Sequence, residues 1–181
     1  VRLAIADPPY LGRAARWYGP AGRGSGGGRH RADEHDGAAE WDDPARHTAL
    51  VAQLRAGFDG WAIAAGPASL PVYLAAAPDA RVMIWHRRNA PPAGSRLRPC
   101  WEAVLVCTPR KAYGTGPPVD DVLDLAGQRA GFVGSKPAGW TRWVLDALGY
   151  DPDTDTVTDL FAGSGSVAAA LRQDVLPMGW A

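Results

Sequence analysis

The 181-residue chain carries 19 basic and 19 acidic residues, a formal net charge of zero, so no global field draws it to nucleic acid or to a membrane surface. With 46% hydrophobic and 21% charged residues the composition is globular rather than disordered, and the length suits a single domain spanning residues 1–181 with a proper core. The two cysteines, Cys100 and Cys107, and the four histidines lack zinc-ligand spacing, so no metal site is expected, and buried free thiols fit a reducing cytoplasm.

The chain opens on an apolar run, Val1 to Ala6, that reads as a buried strand and leaves through Asp7-Pro8-Pro9-Tyr10. Leu11 to Gly19 follows, carrying Arg13 and Arg16, and a Gly-rich loop over about 20–37 ends in Arg29, His30 and Arg31. That composition buries too little apolar surface to order itself. Asp43-Pro44 has the form of an N-cap with proline at the first helical position, predicting a helix to about Ala56. Trp61 to Ala65 is expected as a buried strand and Leu70 to Ala77 as a helix. The uncharged stretch from Gly60 to Pro78 is therefore no membrane span, since Gly66-Pro67 and Pro71 break it.

Arg81–His86 and Glu102–Cys107 read as strands joined without a helix, hence an antiparallel pair, with a Pro/Gly loop over Asn89–Gly94. The connector 109–131 is expected to hold at most a short helix around Val119–Leu125. Ala138–Leu148 predicts a helix closed by Gly149, with Trp140 and Trp143 as core. Thr156–Leu160 predicts a strand, Val167–Gln173 a helix, and Met178–Ala181 the start of another strand. Strands alternating with helices argue for an α/β layered fold with a mostly parallel sheet and one antiparallel strand.

Two of these stretches carry chemistry. Pro8 and Pro9 fix their own φ and remove two backbone donors, leaving a stiff corner rich in acceptors with an aromatic ring beside it. Such a corner suits an exocyclic amino group on a planar base; its plainer reading is a strand-ending turn. At the far end, Asp159-Leu160-Phe161-Ala162-Gly163-Ser164-Gly165 joins a strand to a helix through a glycine turn. There the backbone can approach a ligand closely and the helix N-terminus presents free N–H groups. A dinucleotide site would also need an acidic residue about 20 positions on, which the sequence does not contain.

Read together, Asp7-Pro8-Pro9-Tyr10, Lys136-Pro137 before a helix, and the Asp-x-Phe-x-Gly-x-Gly turn at 159–165 resemble the amino-methyltransferases of DNA adenine N6 and cytosine N4. The order is the permuted one, often called the β class, in which the catalytic half precedes the cofactor half. The resemblance implies a Rossmann-like methyltransferase fold, a three-layer sandwich, binding S-adenosylmethionine and DNA. It implies that Asp7 and the Pro8 carbonyl accept hydrogen bonds from the target amino group, with Pro9 in the same corner and Tyr10 stacking on the extracted base. It places Phe161, Ala162, Gly163, Ser164 and Gly165 along the cofactor pocket, Asp159 near the methionine amino group, and Asp7, Lys136 and Pro137 beside that pocket.

Arg13, Arg16, Arg29 and Arg31 are candidate phosphate contacts, and solvated surface is a comparable reading for each. His86, Arg87 and Arg88 read as surface residues. Ribose recognition is unaccounted for, and the connector is too short for a large target-recognition region. Specificity would then be short, relaxed, or supplied by a homodimer partner or a separate specificity subunit. Two alternatives stand beside the DNA reading: an RNA adenine N6-methyltransferase, and a regulatory or binding subunit with a degenerate cofactor pocket.

Overall fold

The computed structural model describes residues 1–20, 30–31, 35–90, 96–110, 118–127, 131–132, 134–163 and 165–173, with residues 30–31, 131–132 and 173 described by their backbone alone. In chain order the elements are β1 (Arg2–Ala6), α1 (Ala14–Tyr18), β2 (His30–Arg31), a 3-10 turn (Ala38–Asp42), α2 (Pro44–Gly57), β3 (Gly60–Ala65), α3 (Leu70–Ala76), β4 (Arg81–His86), β5 (Trp101–Cys107), β6 (Val122–Asp124), β7 (Gly131–Phe132), α4 (Ala138–Leu148), β8 (Thr156–Asp159) and α5 (Ser166–Gln173). Among the described residues no helix is long and apolar enough to cross a membrane.

Six strands form one sheet in the order β6-β4-β5-β3-β1-β8. Only β5 runs against the rest, antiparallel to both β3 and β4, while β1 pairs parallel with β3 and β8, and β4 with β6. The fold is therefore α/β and Rossmann-like, with a mostly parallel sheet and one antiparallel strand. Alternate side chains of each strand serve two cores, as the period of two requires. Leu3, Ile5, Ala62, Ala64, Met83, Val104 and Val106 face α4 and α5 through Trp140, Trp143, Val144, Leu148 and Val167. Ala4, Ala6, Trp61, Ile63, Ala65 and Leu105 face α2 and α3 through Leu50, Val51, Leu54 and Tyr73. Helices on both faces make the third layer, and Trp140 and Trp143 are core residues at 1% and 7% exposure.

Local signals set several boundaries. The Asp43 carboxylate accepts from Ala45 N–H at 2.9 Å and Pro44 occupies the first turn of α2. Gly149 ends α4 at φ 68°, a left-handed conformation that a side chain would penalise. One element differs from expectation: Val122–Asp124 is a strand, not part of a helix, and pairs in parallel with Ile84–His86. Asp121 C=O accepts from Ile84 N–H at 2.8 Å and His86 C=O accepts from Leu125 N–H at 3.1 Å. A segment this short makes too few helical bonds to nucleate a helix, so an open sheet edge decides its conformation. Within the loop 20–37, His30–Arg31 pairs in parallel with Gly131–Phe132. The cysteines are free and half-buried rather than buried. The strand expected at Met178–Ala181 lies outside the described residues.

Sheet order locates a crevice. The chain leaves β1 toward α2 on one face, whereas it leaves β8 toward α5 on the other. The two connections diverge from neighbouring parallel strands, which is the point where α/β sheets open a ligand site beyond their carboxyl ends.

Candidate active site

Asp7 follows directly on β1, and the segment after Asp159 follows directly on β8. Ile5 and Asp159 are partners in the β1–β8 register, and Ile5 C=O accepts from Leu160 N–H at 3.0 Å. The Asp-Pro-Pro-Tyr corner and the glycine turn are thus side by side. Tyr10 C=O accepts from Arg13 N–H at 2.9 Å, in a turn whose Gly12 adopts φ 73°. Leu11 N–H donates to Ser69 Oγ at 3.0 Å, tying the corner to the loop after β3.

The two segments open on a cleft of about 630 Å³ lined by Asp7, Pro9, Lys136, Asp159, Phe161, Ala162 and Gly163. Seven of the residues singled out in the sequence therefore meet there. Gly163 and Gly165 hold φ values of 25° and 71°, a region that favours glycine, so the chain turns sharply between β8 and α5. Asp159 Oδ1 accepts from Phe161 N–H at 3.1 Å, and burial raises its carboxyl above the ordinary range against that bond. Pro137 is the N-cap residue of α4, while Pro8 is buried beneath the corner. Arg13, the N-cap residue of α1, and Arg16 within that helix are exposed and do not line the cleft. Arg29, Ser164 and the side chain of Arg31 lie outside the described residues.

Behind Asp7 stands a network that spacing alone did not reveal. Lys136, 2% exposed, donates to both Asp7 oxygens at 2.7 Å, to Gly134 C=O at 2.9 Å and to Tyr10 Oη at 3.3 Å. Tyr10 Oη in turn donates to Glu102 Oε2 at 2.6 Å. Glu102 pairs with Arg87 at 3.0 Å, so Arg87 is an inward-facing partner rather than a surface residue, unlike the more exposed His86 and Arg88. The burial of each group would disfavour its charge. For Lys136 that effect is outweighed by Asp7 and Glu102, which hold the ammonium above its usual range. For Glu102 it is outweighed by Lys136 and Arg87, which hold the carboxyl low. For Asp7 burial prevails over the pull of Lys136 and the carboxyl is raised.

Tyr10 departs from the arrangement the resemblance implies. Its hydroxyl is committed to Glu102 and it stands beside the cleft rather than in its lining. Gly66 gives its ring room, since a Cβ there would sit 2.8 Å from Tyr10 Cδ2. Gly66→Ala is expected to push the ring aside and cost about 1–3 kcal/mol, the range for overpacking, read as a lower urea midpoint. An unchanged midpoint would mean that the ring does not brace the corner.

The opposite wall comes from residues the motifs did not include. Trp41, in the 3-10 turn, meets Phe161 edge-on at 5.1 Å between ring centroids. Its carbonyl pairs with His47 Nε2 at 2.8 Å while His47 Nδ1 pairs with Tyr73 Oη at 2.5 Å. Burial lowers the His47 pKa, which favours the neutral ring, and its two nitrogens tie the Trp41 carbonyl to Tyr73. Tyr18, His35, Asp36 and Glu40 complete this side. Asp42 fixes the wall to α1, accepting from Ala14 and Ala15 N–H at 3.0 Å each.

The cleft thus combines a carboxyl acceptor paired with Lys136 at a stiff corner, a turn open to close backbone approach, and aromatic walls. Among the described residues no group of three or more His, Cys, Asp or Glu is placed to hold a metal. No family model matches the chain, and no curated protein does either.

Proposed function

We propose that the protein is a cytoplasmic S-adenosylmethionine-dependent methyltransferase acting on an exocyclic amino group of a DNA base, adenine N6 ahead of cytosine N4. One observation carries the reading: Asp7-Pro8-Pro9 and Phe161-Ala162-Gly163 leave adjacent parallel strands and border one cleft, with Lys136 on Asp7. The cleft suits the cofactor. Phe161 and Trp41 offer aromatic surface, Asp159 offers a carboxylate for an ammonium group, and Gly163 leaves the backbone bare of a side chain.

S-adenosylmethionine, when bound, supplies an activated methyl group. The work of the chain is then positional. Asp7 and the Pro8 carbonyl accept the N–H groups of the target, which aims its nitrogen lone pair into the cleft. Lys136 favours the ionised form of Asp7 against the effect of burial. Extracting a base costs a few kcal/mol and aromatic stacking returns about 1–3 kcal/mol per base. Tyr10 serves that end only if its ring presents a face while its hydroxyl remains on Glu102.

The test is incubation with labelled S-adenosylmethionine and unmethylated DNA, followed by mass analysis of the nucleosides. N6-methyldeoxyadenosine is the expected product. The same reaction with RNA decides between polymers. Cofactor binding without transfer to either polymer would overturn the assignment and favour a regulatory subunit.

A further inference from the structure

Glu102 is the unexpected charge in this sheet. It begins the apolar stretch of β5, a strand with neighbours on both sides, and is 7% exposed. A buried ion pair seldom stabilises a protein more than well-packed apolar residues would, so stability alone does not account for a carboxylate there. The antiparallel direction of β5 explains its placement. Glu102 lies opposite Trp85 near the carboxyl end of β4, and Ala103 lies opposite Ala65 at the carboxyl end of β3. Its side chain therefore reaches the same end of the sheet as Asp7. There it accepts from Tyr10 Oη at 2.6 Å, pairs with Arg87 at 3.0 Å, and stands 3.5 Å from Lys136 Nζ.

A difficulty of the proposed reaction gives that geometry a use. Lys136 Nζ lies 2.7 Å from both Asp7 oxygens, so a target amino group meets an acceptor that is already engaged. Freeing Asp7 by moving the ammonium elsewhere would strand a buried charge unless a second anion waited. We propose that Glu102 is a positioning residue for Asp7, holding the alternative place for the Lys136 ammonium so that Asp7 can release an oxygen to an incoming amino group. This inference rests on the methyl-transfer reading of Asp7. The handover moves no proton. Asp7 and Glu102 balance Lys136 and Arg87 before and after it, Gly134 C=O retains its bond to the ammonium, and Tyr10 Oη bridges the two positions.

The charged and titratable groups acting on Asp7 are Lys136, Glu102 and Asp159, with Tyr10, Tyr18 and Tyr73 near enough to feel its charge. Of these, Glu102 and Asp159 raise the Asp7 carboxyl and Lys136 lowers it. Neutralising Glu102 removes a raising influence and leaves Lys136 wholly to Asp7. Glu102→Gln should therefore move the Asp7 titration to lower pH, while Glu102→Asp keeps it closer to wild type. Arg87→Met removes the competing cation, draws Lys136 toward Glu102, and should move the titration to higher pH.

Lysine-selective nitrogen labelling reads the ammonium directly, because Lys111 and Lys136 are the only lysines, and carboxyl-carbon labelling reads Asp7. The expected result is a displaced Lys136 signal in both variants with opposite shifts of the Asp7 titration. In the transfer assay Glu102→Gln should lower kcat about tenfold or more with cofactor affinity nearly unchanged, and move the acid limb of the rate profile with Asp7. An Asp7 titration that moves in neither variant overturns the proposal, and Arg87→Met decides alone if Glu102→Gln does not fold. Opposite shifts in the two variants, with a wild-type protein that methylates nothing, would leave the Glu102–Lys136 coupling standing and overturn the methyl-transfer reading instead.

Discussion

Lys136→Met is expected to destabilise the protein by about 3–5 kcal/mol at neutral pH, the cost of removing one partner from a buried ion pair. Methionine fills the space but leaves two carboxylates, Asp7 and Glu102, facing each other's charge without their shared cation. A loss of that size is a large share of the stability of an ordinary domain. Its pH dependence separates charge from packing. The pKa of Lys136 is raised in the folded protein, so its contribution is fully present below its unfolded value of 10.5 and is lost only on the alkaline side.

In the variant the two carboxyls lose the cation that opposed burial, and their folded pKa values rise. A carboxyl raised on folding favours the folded state when protonated, so the deficit relative to wild type must shrink as pH falls. Wild-type Glu102, held low, behaves oppositely: its contribution is present above its unfolded value and is lost as pH falls through the folded one. Urea unfolding of both proteins between about pH 8 and about pH 5 measures the two curves. Parallel curves would show that the loss came from packing, and that the Lys136 charge does not neutralise the corner.

Why this network was invisible in the sequence, while the strands around it were not, is a matter of range. β1, β3 and β4 are apolar runs, Asp43-Pro44 is a local cap, and Gly149 is a local stop; each is decided by residues within a turn or two. The glycine turn after β8 and the corner after β1 were legible for the same reason. Val122–Asp124 was not, because its conformation comes from an edge offered by β4 far back in the chain.

Glu102 left one trace, a single acid in an otherwise apolar strand, but its partners Tyr10, Arg87 and Lys136 come from three separate connections. Tyr10 shows the limit most clearly. Its presence in the motif was readable, yet the direction of its hydroxyl depends on Glu102 and the seat of its ring on Gly66. Trp41 likewise becomes a cleft wall, with His47 buried behind it, only once the 3-10 turn packs against Phe161.

Asp7→Asn is expected to lower methyl transfer about 10²–10³-fold, the loss typical of removing one preorganised electrostatic group. Cofactor affinity should change far less. The substitution preserves size and leaves an amide oxygen to accept one hydrogen bond, but it removes the charge that makes the corner a strong acceptor. It also turns an amide N–H₂ toward a corner otherwise built from acceptors. Lys136 retains Glu102, Gly134 C=O and Tyr10 Oη, so the cation stays paired and folding should suffer less than in Lys136→Met.

The pH profile carries the sharper expectation. Burial raises the Asp7 carboxyl against the pull of Lys136, so wild-type transfer should fall as pH drops through that raised value, where the acceptor takes up a proton. Asparagine has no such proton, and the residual activity of the variant should be flat across the same window. A variant that keeps the wild-type acid limb would assign that limb to Asp159, the other carboxyl raised by burial at the cleft. Asp7 would then be a structural anchor for Lys136 rather than the acceptor of the target amino group.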